Sequence, residues 1–224
     1  MSDVATNLTM LKDSLPSTCA LVAVSKTKPM NAIEACYEVG QRDFGENKVQ
    51  ELVEKAEALP NDIQWHMIGH LQRNKVKYIA PFVHLIHGVD SLKLLLEIDK
   101  RAKQVDRILD CLLQIHIAEE ATKFGFDEKE ALELVQASSL SSLENIRIVG
   151  LMGMATFTEN EGQIRREFKS LRKLFDLLKD HETKNLNMEI LSMGMSGDYQ
   201  LAIEEGSNMV RVGSAIFGER NYSI

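Results

Sequence analysis

Proline and glycine are sparse, 4 and 13 residues in 224, which excludes collagen-like and low-complexity chains. Cysteine is scarcer still. Cys19, Cys36 and Cys111 are odd in number and lack C-x-x-C spacing, so neither a disulfide framework nor a zinc site is encoded, and a reducing cytoplasm is the expected location. Positive charge is in deficit: 26 Lys and Arg against 33 Asp and Glu leave a net charge of −7. Such a surface repels phosphodiester backbones, so nucleic acid is not an expected partner. No run of about 18 apolar residues occurs, and Met1-Ser2-Asp3-Val4 has no basic segment leading into an apolar one. Neither a membrane span nor a secretory leader is expected. The sequence also lacks a G-x-S-x-G elbow, a P-loop and an H-E-x-x-H pair.

What remains is a chain that is 44% apolar and 26% charged, enough to bury a proper core, which rules out disorder and a coiled coil. After an amphipathic opening (Val4, Leu8, Leu11, Leu15), short apolar runs alternate with stretches of helical spacing such as Phe168, Leu171, Leu174, Phe175 and Leu178. The runs are 20–24, 43–45, 64–68, 83–87, 109–117, 146–152, 188–191 and 209–212. Their continuous rather than alternating apolarity marks strands covered on both faces, as in a parallel sheet. Eight strands each followed by a helix, with no linker, predict an α/β fold. It is a single (β/α)8 TIM barrel with an extra N-terminal helix, residues 1–224 forming one domain; an open doubly wound sheet is the alternative. The second strand, Asp43-Phe44-Gly45, is the shortest and most polar.

In such a barrel chemistry gathers where strands end. Lys26 directly follows the apolar run Leu21 to Val24. A lysine there is partly desolvated, which favours the free amine and suits it to attack a carbonyl, although on residue type alone the commoner reading is that it merely opens a solvated loop. The seventh end reads Ser192-Met193-Gly194-Met195-Ser196-Gly197-Asp198 and the eighth Arg211-Val212-Gly213-Ser214. Glycine lets backbone N–H groups approach a phosphate, and helical turns after it add positive dipole ends. Either loop alone could be an ordinary turn; together, at the two strands that customarily cradle phosphate, they point to a phosphate site. Arg211 either pairs with a core carboxylate or faces a ligand, where it would keep a pyridine nitrogen unprotonated. Asn47 either caps the next helix or touches a ligand oxygen.

Histidine offers no evident metal pair. His66 and His70 have i, i+4 spacing but fall on or beyond a strand, where that spacing separates them by roughly 13 Å. His84 and His87 are expected on opposite faces of theirs. Lys123 is a second candidate amine on a loop, though a lysine there is commonly just solvated. The pairs Met152/Met154 and Met193/Met195 read as packing and rim. Arg165, Arg166, Lys169, Arg172 and Lys173 form the solvated side of one amphipathic helix.

Taken together, Val24-Ser25-Lys26-Thr27, Gly45-Glu46-Asn47-Lys48-Val49-Gln50-Glu51, Trp65-His66-Met67-Ile68-Gly69-His70-Leu71-Gln72, Leu191 to Asp198 and Val210-Arg211-Val212-Gly213 closely resemble the pyridoxal phosphate homeostasis protein family across nearly the whole chain. The resemblance implies a barrel of the alanine racemase N-terminal kind that holds pyridoxal 5'-phosphate as an internal aldimine on Lys26. It implies further that Ser192, Ser196, Gly213 and Ser214 hold the phosphate, that Arg211 faces the pyridine nitrogen, and that Lys123 sits near the entrance. Members of that family are understood to buffer and deliver the cofactor and to keep amino and keto acid pools in balance, without an established reaction of their own. Partners implied are pyridoxal phosphate and apo-forms of enzymes that use it; a monomer is expected because a closed barrel is complete by itself. Several positions depart from the family pattern: Gly88, His116, Gly153 and Thr156.

A barrel-type racemase would need a second β domain carrying a tyrosine or cysteine acid/base, and only six residues follow Gly218. The expectation is therefore a carrier. A weak amino-acid racemase or other amino-acid enzyme is the alternative, with a Schiff-base sugar-phosphate aldolase behind it.

Overall fold

The computed structural model describes residues 4–119 and 124–218. Eight parallel strands form a closed ring in sequence order. They are β1 Ala20–Val24, β2 Asp43–Glu46, β3 Gln64–Met67, β4 Leu85–Val89, β5 Leu109–Ile115, β6 Ile146–Gly153, β7 Leu186–Ser192 and β8 Met209–Val212. Ahead of them runs α1 Val4–Ser14, the extra N-terminal helix. Connecting segments carry α2 Met30–Glu38, α3 Val49–Ala58, α4 Val76–Ile79, α5 Leu92–Gln104, α6 Glu128–Gln136, α7 Ser138–Ser141, α8 Glu161–Lys179, α9 Tyr199–Glu204 and α10 Ser214–Phe217. The (β/α)8 barrel is thus the fold, and the open sheet is excluded because β1 pairs with both β2 and β8.

Helix ends follow local chemistry. Asp127 and Glu130 form a reciprocal capping box that starts α6, and the Asn160 side chain accepts from the Gln163 amide at the start of α8. Along α8, Ile164, Phe168, Leu171, Leu174, Phe175 and Leu178 are buried at helical spacing. Truncating fully buried Phe168 to alanine is a change that costs about 3–5 kcal/mol in such a setting.

Strand parity sorts the side chains into two cores. Leu21, Ala23, Phe44, Trp65, Ile86, Cys111 and Leu113 point outward and join the helices in the larger cluster. Val22, Leu85, Leu112, Val149, Met152 and Met209 form a separate small cluster inside the ring. This inner core is short of apolar volume, and the rest of it is polar.

Only β1 and β8 match the sequence reading at both ends; the larger differences fall at β4, β5 and β7, the last beginning at Leu186 rather than Met188. β4 begins at Leu85 rather than Val83, because the Val83 amide still bonds back to Ile79 and His84 is the first to reach β3, at Trp65. It runs past His87 because its ladder with β5 resumes at Val89, paired with Leu113 after a register shift; between them Gly88 lies so close to a neighbouring backbone that a Cβ there would stand 2.7 Å from the Gly69 carbonyl oxygen. β5 ends at Ile115 rather than Ile117, since His116 and Gln114 exchange backbone bonds with Phe126, which folds back beside the strand.

Candidate functional site

At the C-terminal end of β1 the buried Ser25 is followed by half-buried Lys26 and then by Thr27 at φ 63°. A β-branched residue in the left-handed region is strained. An ion cluster beneath holds it there. The Thr27 amide donates to Glu51 Oε1 at 2.6 Å, and the Ser25 hydroxyl donates to Glu46 Oε1 at 2.6 Å. Lys55 Nζ donates to the Ser25 carbonyl at 2.9 Å and to Glu46 Oε1 and Glu51 Oε1 at 2.7 Å each. Burial raises the Glu46 carboxyl above its ordinary range against the opposing pull of Lys55 and Ser25, and its Oε2 has no hydrogen-bond partner among the described residues. Lys55 escaped the sequence reading. Its signal was a lysine on the apolar stripe of α3, three residues after Leu52.

On the other side of β1, Ala23 is paired with Val212, so the loop after β8 adjoins the lysine loop, with Gly213 packed on Val24. The Gly213 amide donates to Ser196 Oγ at 3.2 Å, which ties the loops after β7 and β8 together. Ser196 is half-buried and Ser214 exposed. The backbone amides of Ser196, Gly197, Ser214 and Ala215 have no acceptor among the described residues. Four N–H groups and two hydroxyls on adjoining loops suit a phosphate-sized anion. The helical turns behind them are short, six residues in α9 and four in α10, so local N–H groups rather than a long helix dipole supply the attraction.

Arg211 lies inside the ring, 4% exposed. Its Nη1 donates to the Ser192 carbonyl at 2.8 Å and to Ser192 Oγ at 2.6 Å, and its Nη2 donates to the Gly153 carbonyl at 3.0 Å. No carboxylate forms an ion pair with it among the described residues. Desolvation pushes its pKa down to about 10, partly opposed by Asp198, so it stays charged at neutral pH.

Asn47 stands at the end of β2, beside β1 through the Val24–Gly45 pair. It caps nothing: Lys48 is the N-cap of α3 and makes no side-chain cap bond. Gly69 is pressed against it, and a Cβ there would lie 2.4 Å from the Asn47 carbonyl oxygen. Lys26, Asn47, Ser192, Ser196, Arg211, Gly213 and Ser214 therefore occupy one arc, the ends of β7, β8, β1 and β2. Lys123 lies outside the described residues.

Beneath this arc a polar chain crosses the barrel interior. Ser192 Oγ is 3.2 Å from His87 Nδ1, His87 Nε2 is 2.9 Å from His66 Nδ1, and His66 Nε2 is 3.0 Å from Asp43 Oδ1. Proton counting fixes its direction. The Asp43 carboxylate can only accept, so His66 Nε2–H donates to it; with one proton on each ring, His66 Nδ1 accepts from His87 Nε2–H, and His87 Nδ1 accepts from the Ser192 hydroxyl. Burial holds His87 neutral, well below its ordinary range, with His66 and Arg211 adding to the effect. The expected opposite facing of His84 and His87 fails because His84 precedes β4. Both rings lie against His66, with centroids 5.3 and 5.2 Å away.

A family model described as the alanine racemase N-terminal domain matches residues 1–221. The pyridoxal phosphate homeostasis protein of Aquifex aeolicus (strain VF5) is 42% identical over 206 residues, 91% of this chain and 89% of that one. The protein of the same name from Escherichia coli (strain K12) is 36% identical over 237 residues, 100% and 99% of the two chains. Among solved structures, PipY of Synechococcus elongatus PCC7942 with PLP bound superposes with a TM-score of 0.85 at 35% identity, covering 96% of this chain and 100% of that chain.

Proposed function

The chain belongs to the pyridoxal phosphate homeostasis protein family, built on the alanine racemase N-terminal barrel, and from that premise we propose that it binds pyridoxal 5'-phosphate and serves to buffer and deliver it. When bound, that cofactor supplies an aldehyde carbon open to an amine and a ring able to draw electrons from what is attached to it. The single observation that carries the reading is the adjacency of the Lys26 loop to the two loops that hold four amides without acceptors among the described residues. One end of a small molecule meets an amine and the other an anion cradle.

We assign Lys26 to the aldehyde carbon. Ser196, Gly213 and Ser214, with the neighbouring amides, are assigned to the phosphate, and Asn47 to the near edge of the ring. Ser192, engaged by Arg211 and His87, enters as the group that holds the guanidinium still. Arg211, charged and immobilised, is assigned to the ring nitrogen. A fixed cation there disfavours a proton on that nitrogen and leaves the ring a weak electron sink, which suits holding the cofactor better than turning substrates over on it. Delivery to apo-forms of enzymes that use the cofactor belongs to the same proposal. So do action as a monomer, which a ring without an unpaired strand edge supports, and a cytoplasmic site, which three cysteines outside any disulfide support. Among the described residues no helix is long and apolar enough to cross a membrane.

The test is to titrate the protein with pyridoxal phosphate. Wild type should gain a visible absorption band, and borohydride should fix the added mass on the peptide containing Lys26. Lys26→Ala should lose the band while keeping its far-UV dichroism. An unchanged spectrum in that variant, or mass fixed on a different lysine, overturns the assignment.

A further inference from the structure

The polar chain ends at the opposite mouth of the barrel from the lysine. Asp43 is the first residue of β2, His66 the third of β3, and His84 stands immediately before β4, so all three gather where the strands begin. One ligand atom from each, a carboxylate oxygen and two ring nitrogens, lies within 4.8 Å of the other two. The closest pair is Asp43 Oδ1 and His66 Nε2 at 3.0 Å. A zinc-class ion bound at about 2.1 Å in tetrahedral geometry sets its ligand atoms roughly 3.4 Å apart. The cluster brackets that spacing, and the exposed His84 ring is the member free to swing the remaining distance. His66 is fully buried and locked from behind by His87 Nε2 at its Nδ1. That is the orienting partner a ligating imidazole requires on its second nitrogen.

We propose that Asp43, His66 and His84 form a binding site for a divalent first-row transition ion at the N-terminal mouth of the barrel. Two imidazoles and one carboxylate leave coordination positions for water and match the borderline ions, Zn2+ and Co2+, rather than Mg2+ or Ca2+, which take oxygen ligands.

Ion binding also reverses the hydrogen-bond chain. With the ion on His66 Nε2, that nitrogen carries no proton, and the ring's single proton sits on Nδ1 and donates to His87 Nε2. His87 then carries its proton on Nδ1 and donates to Ser192 Oγ, whose own proton turns away. Each histidine keeps one proton, so no net proton is released. The ion thereby alters the hydrogen bonding of the serine that holds Arg211, although it binds at the other end of the barrel.

The experiment uses cofactor-free protein, so its outcome is independent of the pyridoxal phosphate reading. Titration with Co2+, followed by its visible d–d absorption, should show one equivalent bound and displaced by Zn2+. His84→Ala and Asp43→Asn, one exposed and one conservative in shape, should each bind at least about 10-fold more weakly, whereas His181→Ala should bind as wild type does. Side-chain 15N spectra should move the His87 proton from Nε2 to Nδ1 when Zn2+ is added. Failure of wild type to bind an equivalent, wild-type affinity in either His84→Ala or Asp43→Asn, or a His87 tautomer unmoved by Zn2+ overturns the proposal.

Discussion

Lowering the pH from 7.5 to 5.5 should destabilise the protein through His87, by an amount that can be worked out. In the unfolded chain an imidazole titrates near 6.5. In the fold His87 is sealed inside the ring against His66 and Arg211, with His84 also facing the cluster, and its pKa lies well below that value. A folded pKa below the unfolded one means that the unfolded chain binds the extra proton first. The stability His87 contributes is therefore fully present above about pH 7 and is lost as pH falls through 6.5 towards the depressed folded pKa. While the folded ring stays neutral, the loss between pH 7.5 and 5.5 is about 1.4 kcal/mol. With a urea m value of about 3 kcal/mol/M that moves the midpoint by roughly 0.5 M. The measurement is urea unfolding of wild type and His87→Gln at both pH values. Subtracting one from the other cancels the carboxylates that titrate alike in the two proteins. The variant should be less stable at pH 7.5, because Ser192 and His66 lose a partner, yet its pH-dependent loss should be smaller by about 1.4 kcal/mol. Parallel losses in both proteins would refute the argument and place the buried imidazole's proton equilibrium close to that of the unfolded chain.

Two further perturbations test the supports of the rim. Lys55→Met strands the buried Glu46 carboxylate and should cost about 3–5 kcal/mol in urea unfolding, but less than about 2 kcal/mol when Glu46→Gln is already present; equal losses in the two backgrounds would show the pair uncoupled. Gly69→Ala must displace the Asn47 backbone and should cost about 1–3 kcal/mol while weakening pyridoxal phosphate binding, so unaltered stability and binding would count against the close approach between those two segments.

The barrel was legible because buried parallel strands write their apolarity continuously, and all eight runs overlap the observed strands. Lys26 stood out for the same reason, as the first cation after an apolar run, and the two glycine-hydroxyl loops because they follow the last two strands. What stayed hidden depends on contacts across the ring. Ser192 and His87 meet 105 residues apart, and no local spacing announces such a pair. The placing of His84 and His87 on opposite faces assumed that the strand began at Val83; a start two residues later undid it. Lys55 reads as an ordinary surface lysine until the cluster of Glu46, Glu51 and the Ser25 carbonyl is assembled around it. Gly153, read only as a departure from a family pattern, proves to offer its carbonyl to Arg211.

Closure of the ring by its first and last strands has a temporal side. As the ribosome releases the chain, β1 emerges early but lacks one neighbour until β8 appears, and Lys28 must wait for the Phe217 carbonyl, 189 residues later. Until β8 is made, the lysine loop therefore has no anion cradle beside it. A nascent chain stalled before β8 carries an open sheet edge that invites misassembly, and competence to take up a ligand is acquired abruptly, with the final strand.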